Sequence, residues 1–251
     1  MIVTFLTDFG LQDDFVGTCH GVIARIAPDA RVIDITHGIE PQAVLQGAIV
    51  LRNTLPYLPV GVHLAVVDPG VGSHRRAIAL RTRDGRHFVG PDNGLLTLAA
   101  RDVEAAHELV HHRLEPTSRT FHARDIFSPA AAHLASGLDI AELGPAVDPS
   151  SLVQVDVPAP KAGSATVLVV DRFGNIATNL RREDLPEPGT RVEVGLALDR
   201  YYAVVAETFA DVPAGELILY EDSYGMVTLA ISNGNAARLT GAVVGDELTL
   251  A

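Results

Sequence analysis

Two hydrophobic rhythms divide the chain. From Met1 to about Val157 short aliphatic runs alternate with amphipathic stretches. Ile2 to Leu6, Val32 to Ile35 and Val62 to Val67 read as strands, while Asp14 to Ile26, Ala43 to Leu55 and Ile126 to Ala135 carry apolar residues at helical spacing. Strand, helix, strand, helix, strand implies crossover connections and a mainly parallel sheet with helices on both faces. Asp13 or Asp14 supplies the N-cap of the first helix, and Pro41 marks the start of the second. Ala77 to Leu80, Asp84-Gly85 and His87 to Val89 fit a hairpin closed by a tight turn.

The rhythm changes after Pro158-Ala159-Pro160-Lys161-Ala162-Gly163-Ser164, whose Pro and Gly content marks a linker. Thr166 to Val170, Ile176 to Leu180, Arg191 to Leu196, Tyr201 to Val205, Leu217 to Tyr220 and Met226 to Ile231 alternate or are β-branched, with Gly, Pro, Asp and Asn between them. That pattern predicts a small antiparallel barrel or sandwich. The expected organisation is an α/β domain over residues 1–157, a linker over 158–164 and an all-β domain over 165–251.

Composition narrows the partners. The 251 residues are 47% hydrophobic with only 5% aromatics, no Trp and a mean hydropathy of +0.23. So aliphatic a chain predicts that some apolar surface is buried between subunits. No run reaches the ~18 to 20 apolar residues of a spanning helix. The N-terminus reads directly as a strand, without the basic flank or cleavage site of a signal peptide, which predicts a cytoplasmic protein with no membrane partner. A net charge of −12 without basic clusters argues against nucleic acid. Cys19 is alone and can form no internal disulfide.

Six segments carry candidate chemistry. Thr7-Asp8-Phe9-Gly10 closes the first strand, where ligands of open α/β sheets bind, and Asp8 could accept hydrogen bonds from sugar hydroxyls. Asp68-Pro69-Gly70-Val71-Gly72 with Arg75 ends another parallel strand. Its glycines allow a tight loop, and Asp68 and Arg75 could meet across it, either as a site or as a brace. The loop lacks the Gly-Lys-Ser/Thr ending of a phosphate cradle. Phe121-His122-Ala123-Arg124-Asp125 places His122 at a helix entry, where the dipole would lower its pKa. Asp171-Arg172-Phe173-Gly174-Asn175 reads as a turn. Ser223-Tyr224-Gly225 and Asn233-Gly234-Asn235 also read as turns, though Asn side chains suit the edge of a nucleobase. All ten histidines lie at or before His133, so proton chemistry falls to the first domain. His107, His111 and His112 have no matching carboxylate or Cys pattern, and no metal is expected.

These motifs, with Pro91-Asp92-Asn93-Gly94-Leu95-Leu96, occur in order over residues 2 to 240. As an ordered set they resemble the SAM hydroxide adenosyltransferases, the adenosine-forming S-adenosyl-L-methionine (SAM) hydrolases related to the SAM-dependent fluorinase and chlorinase. The resemblance implies an N-terminal α/β domain and a C-terminal antiparallel β-barrel, assembled as a homotrimer with ligand held between subunits. It implies hydrolysis of SAM to adenosine and L-methionine by attack of water or hydroxide on the ribose 5′ carbon, with no cofactor. The family's catalytic triad falls on Asp68, Arg75 and His122, leaving the choice of base between Asp68 and His122 open. Asp8 matches the carboxylate that holds the ribose hydroxyls. Asp171 and Asn175 match positions near adenosine and methionine, Ser223 one near the methionine carboxylate, and Asn233 with Gly234 the adenine edge. Phe209 offers an apolar face to adenine, and Asn93 either shapes the pocket or braces a turn. A carboxylate at position 68 would repel a halide, by about 1 to 4 kcal/mol at 4 Å, which favours hydrolysis over halogenation.

Overall fold

The first aliphatic run forms β1 (Ile2–Thr7), and its alternation decides which face of a sheet each side chain covers. In this computed structural model, which describes residues 1–161, 163–196 and 198–251, the chain forms two compact units, Met1–Asp156 and Val157–Ala251. In the first unit, Val3 and Phe5 enter one core with Val62, Leu64 and Val66 of β3 (Val62–Val66). Leu6 joins Ala65 and Val67 in a core on the opposite face. The first core is closed by α1 (Phe15–Ile26) and α3 (Ser128–Ala135), through Cys19, Ile23, Ala131 and Leu134. The second is closed by α2 (Val44–Thr54), through Ala48 and Leu51.

The sheet has six strands in the order β2-β1-β3-β5-β4-β6. β2 is Arg31–Thr36, β4 Ala77–Thr82, β5 His87–Pro91 and β6 Val103–Glu108. β1 pairs in parallel with β2 and β3, and β3 with β5, whereas the hairpin strand β4 pairs antiparallel with β5 and β6. The expected mainly parallel sheet is therefore present, with an antiparallel far edge. β3 is buried along its whole length, as a strand covered on both faces must be.

The chain leaves β1 for β2 on one side and returns to β3 on the other, with α1 and α2 on opposite faces. The carboxyl ends of β1 and β3 thus flank a topological switch point, where such sheets open a crevice. Asp8 directly follows β1, and Asp68 lies two residues beyond β3.

Local details depart from the sequence reading. Asp14 occupies the N-cap position of α1, yet its carboxylate accepts the Thr18 hydroxyl at 3.1 Å and caps no backbone N–H. Pro41 does not open α2, because Gln42 takes a left-handed φ of 69° and delays the helix to Val44. The helix expected from Ile126 is preceded by a π-helical turn, Ala123–Phe127, and α3 proper starts with Pro129 in its first turn, where the missing N–H costs nothing.

The second unit is a closed seven-stranded barrel, β10-β11-β12-β8-β7-β13-β9. Its strands are β7 (Ser164–Val170), β8 (Ile176–Thr178), β9 (Arg191–Leu196), β10 (Asp199–Val205), β11 (Leu217–Glu221), β12 (Val227–Ile231) and β13 (Glu247–Leu250). Alternate residues such as Val192, Val194 and Leu196 fill the interior with Val205, Leu219, Leu229 and Leu248. All neighbours pair antiparallel except β10 and β11, where Ala203 faces Leu217 in parallel register. The segment joining these two strands carries Phe209 in a short turn capped by Thr208 Oγ1, which accepts the Ala210 N–H at 3.2 Å. A short helix, α4 (Ala236–Thr240), follows β12, where the sequence suggests only a turn.

Candidate active site

The crevice at the switch point is a cavity of about 640 Å³, within the usual range for small-molecule sites. Asp8, Asp68 and His122 all line it. Asp68 accepts from Arg75 Nε at 2.8 Å through Oδ1 and from Arg75 Nη2 through Oδ2, a bidentate fork. The same Nη2 lies 2.9 Å from His122 Nδ1. The side chains of Arg75 and Asp68 are only 10% and 6% exposed, so the pair is shielded from bulk water. Phe127 supports the guanidinium from below, with its ring centroid 5.1 Å from Cζ.

Backbone geometry makes these contacts possible. Gly72 has a φ of +76°, and a Cβ there would stand 2.5 Å from the Arg119 carbonyl oxygen, so the loop from Asp68 to Arg75 lies directly on the segment preceding His122. That segment is held in turn by Asp125, whose Oδ2 accepts the Ser118 N–H at 2.8 Å. Asn93 donates from Nδ2 to the Val67 carbonyl at 2.9 Å and accepts the Leu95 N–H at 3.2 Å. It braces the end of β3 just before Asp68.

Arginine can only donate, so Nδ1 of His122 must accept, and a neutral imidazole then carries its proton on Nε2. Burial holds the His122 pKa below its ordinary value, and the Arg75 charge adds to this against the opposing pull of Asp68. The direction agrees with the sequence reading, but burial and the guanidinium supply the cause given there to a helix dipole. Asp8 shifts the other way. Burial raises its pKa, and Asp68 adds to this, while the Gln42 N–H, donated to Oδ2 at 2.8 Å, opposes it.

Three aromatic rings that composition did not single out complete the wall. Phe9, Phe15 and Phe121 meet edge to face, with centroids 5.9 Å apart for Phe9 and Phe15 and 5.3 Å for Phe15 and Phe121. Phe15 stays 41% exposed on the cavity wall. The signal available was Phe15 at the start of an amphipathic helix directly after the Asp8 turn.

The remaining candidates lie in the barrel unit. Asp171 accepts the N–H groups of Phe173 at 2.8 Å and Asn175 at 2.9 Å, and its Oδ2 accepts Asn175 Nδ2 at 2.8 Å. The structure joins these two residues to each other and commits Asp171 largely to its own turn. Asn233, with a left-handed φ of 57°, and Gly234 are both exposed just beyond β12. The next residue, Asn235, caps α4 by accepting the Arg238 N–H at 2.6 Å and packs against Gly174. The loops of Asp171 to Asn175 and Asn233 to Ala237 therefore adjoin, tied by the Ala237 N–H to the Gly174 carbonyl at 2.9 Å. Phe209 packs on Tyr220 with centroids 5.0 Å apart, and the Ser232 hydroxyl donates to its carbonyl. Ser223 is exposed in the β11–β12 turn, at the opposite end of β12 from Asn233.

Comparison with known proteins agrees with this architecture. The SAM hydroxide adenosyltransferase N-terminal domain matches residues 3–144, and the C-terminal domain of the same family matches residues 165–249. The chain is 50% identical to a protein of Salinispora tropica named (R)-S-adenosyl-L-methionine hydrolase, over 98% of this chain and 96% of that one. It is 41% identical to one of the same name from Thermus thermophilus, over 99% and 98% of the two chains. A crystal structure of an uncharacterized conserved protein from Thermotoga maritima superposes with a TM-score of 0.89 at 36% identity, covering 99% of this chain and all of that one. A fluorinase from an Actinoplanes species is more distant, at 28% identity over 95% of this chain and 92% of its own. The chain belongs to the SAM hydroxide adenosyltransferase family.

Proposed function

We propose that the protein hydrolyses S-adenosyl-L-methionine to adenosine and L-methionine, with a water attacking the ribose 5′ carbon in the cavity between the ends of β1 and β3. The observation that carries this reading is the Asp68–Arg75–His122 chain at the wall of that cavity. The names of the relatives support the (R) diastereomer as substrate.

The sulfonium departs as a neutral thioether and needs no acid. The difficulty lies in the nucleophile, because water has a pKa of about 15.7. With Nδ1 engaged by Arg75, His122 presents a proton on Nε2 and has no free lone pair, so it orients the water by donating to its oxygen. Each Asp68 oxygen accepts one bond from Arg75 and keeps a further lone pair, which makes Asp68 the group that accepts the water's proton. Arg75 fixes both partners, and its charge favours hydroxide character. Asp8 accepts from the ribose hydroxyls, and the Phe9, Phe15 and Phe121 rings exclude other water.

Asp171, Asn175, Phe209, Ser223, Asn233 and Gly234 supply the adenosine and methionine contacts in this reading. The protein works as a cytoplasmic homotrimer with ligand held between subunits, which gives the aliphatic surplus a place to be buried. No cofactor takes part. A halide entering beside Asp8 and Asp68 would be repelled, so water is preferred.

The test is incubation of purified protein with each sulfonium diastereomer of SAM in chloride buffer, followed by liquid chromatography and mass spectrometry. Adenosine and methionine are expected from the (R) form. No turnover above the spontaneous rate, or 5′-chloro-5′-deoxyadenosine as product, would overturn the reading.

A further inference from the structure

A second cluster of chemistry lies on the β2 side of β1, next to the turn that carries Asp8. His20 on α1, Asp34 on β2 and His37 just after β2 bring one ligand atom each to within 4.8 Å of one another. His20 Nε2 stands 2.9 Å from Asp34 Oδ1, and His37 Nε2 stands 3.2 Å from the same oxygen. Tetrahedral coordination with metal–ligand bonds near 2.0–2.1 Å places donor atoms ~3.3 Å apart, so this spacing suits a shared ion. The histidines weighed for metal from sequence are used otherwise or apart: His107 Nδ1 bonds the Gly144 carbonyl at 2.9 Å, and His112 packs on the His133 ring.

His37 provides an independent reason to look for a ligand. Its side chain is only 3% exposed, and Nε2 has no hydrogen-bond partner in usable geometry although it faces the Asp34 carboxylate. On the other side of the ring, Nδ1 lies 2.8 Å from Thr7 Oγ1. If Nδ1 bears the proton and donates to Thr7, the bare Nε2 lone pair confronts a carboxylate oxygen. If Nε2 bears it, a buried N–H is left without an aligned acceptor. A cation between the nitrogen and the carboxylate removes the deficit, and a proton donated outward to Thr7 is how metal-bound histidines are held.

We propose that His20, Asp34 and His37 form a binding site for a divalent transition-metal ion that ties edge strand β2 to α1. Two imidazoles and one carboxylate suit zinc-like ions rather than Mg²⁺ or Ca²⁺, and three protein ligands leave a position for water. The half-exposed His20 and exposed Asp34 give an ion access from solvent, while buried His37 anchors it. The site also braces the neighbouring crevice. Thr7 Oγ1, bonded to His37, accepts the Phe9 N–H at 3.2 Å, and the Gly10 N–H bonds the His37 carbonyl at 2.8 Å, so the turn carrying Asp8 hangs on this histidine. The role is structural and does not depend on the reaction proposed above.

The experiment strips the full-length protein with chelator and titrates it with Zn²⁺ by calorimetry, with Co²⁺ absorption as a coordination probe. One Zn²⁺ per chain is expected, with a rise in melting temperature and a tetrahedral or five-coordinate Co²⁺ spectrum. His20→Ala and Asp34→Ala alter accessible side chains, keep the parent circular dichroism, and should each weaken Zn²⁺ about 10-fold to 100-fold. His112→Ala should bind as the parent does. The proposal is overturned if the parent binds no stoichiometric Zn²⁺ below about 100 μM. It is equally overturned if His20→Ala and Asp34→Ala bind unchanged, or if His112→Ala abolishes binding.

Discussion

Arg75 donates from Nη2 to Nδ1 of His122 across 2.9 Å, and that contact decides where the imidazole keeps its proton. The same guanidinium grips both oxygens of Asp68. Lysine could not reproduce this planar fork, because an ammonium is a point charge with no bidentate geometry. Arg75→Lys should therefore lower kcat by about 10²-fold with a small change in KM, as expected for an interaction that positions reacting groups. Steady-state adenosine formation at varied SAM checks this, and a variant with unchanged kcat would remove Arg75 from the machinery.

The division of labour between Asp68 and His122 gives a ranking. In the proposed mechanism Asp68→Asn removes the proton acceptor and should cost about 10² to 10⁴ in kcat. His122→Gln keeps a polar group that can still bond Arg75 and hold water, so its loss should be smaller. Single-turnover rates with both variants decide the order. A larger loss in His122→Gln would make the imidazole the base.

Asp8 carries a conflict between stability and binding. Its pKa is raised, chiefly by burial, so the folded state disfavours its charge at neutral pH. Asp8→Asn can still accept the Gln42 N–H and should raise the melting temperature of the ligand-free protein. The same change should raise KM about 10-fold or more if Asp8 binds the ribose as proposed, because a charged acceptor for its hydroxyls is replaced by a neutral one that also donates. Differential scanning fluorimetry and kinetics on one preparation test both signs, and a lowered melting temperature would contradict the electrostatic account.

Acid should destabilise the protein through its buried histidines. Burial lowers the pKa of His37, His87, His122 and His133, and takes His63 from 6.5 to about 4. Between those two values the unfolded chain binds the proton and the folded one does not, so stability rises with pH across this window and is lost as pH falls through it. His63 is fully buried between Thr4, 2.9 Å from Nδ1, and Arg86, 3.2 Å from Nε2, and alone accounts for roughly 3 kcal/mol. Urea unfolding from pH 7 to pH 4 should show a falling midpoint, with a shallower fall in His63→Gln. An equal slope in the two proteins would refute the assignment.

Much of the fold could be read from the chain because its strands are strongly aliphatic. Val62 to Val67 is continuous in a way that only a strand covered on both faces requires, and it is the centre of the sheet. The weaker strands escaped. β6 reads Val103-Glu104-Ala105-Ala106-His107-Glu108, with few β-formers, and depends on its pairing with β4. β13 closes the barrel with only Glu247–Leu250. The parallel pairing of β10 with β11 was hidden because it depends on where an irregular connection leads, which local pattern does not encode. At the site, motif order pointed to Asp8, Asp68, Arg75 and His122, which converge on one cavity or its wall. The aromatic wall, and the His20, Asp34 and His37 cluster, unite residues from different elements with no shared spacing in sequence.

The central claim is that water attacks the ribose 5′ carbon. Turnover of SAM in H₂¹⁸O, with both products weighed by mass spectrometry, tests it most directly. The account predicts adenosine carrying one ¹⁸O and methionine carrying none. Label in the amino-acid product, or methylthioadenosine in place of adenosine, would contradict it.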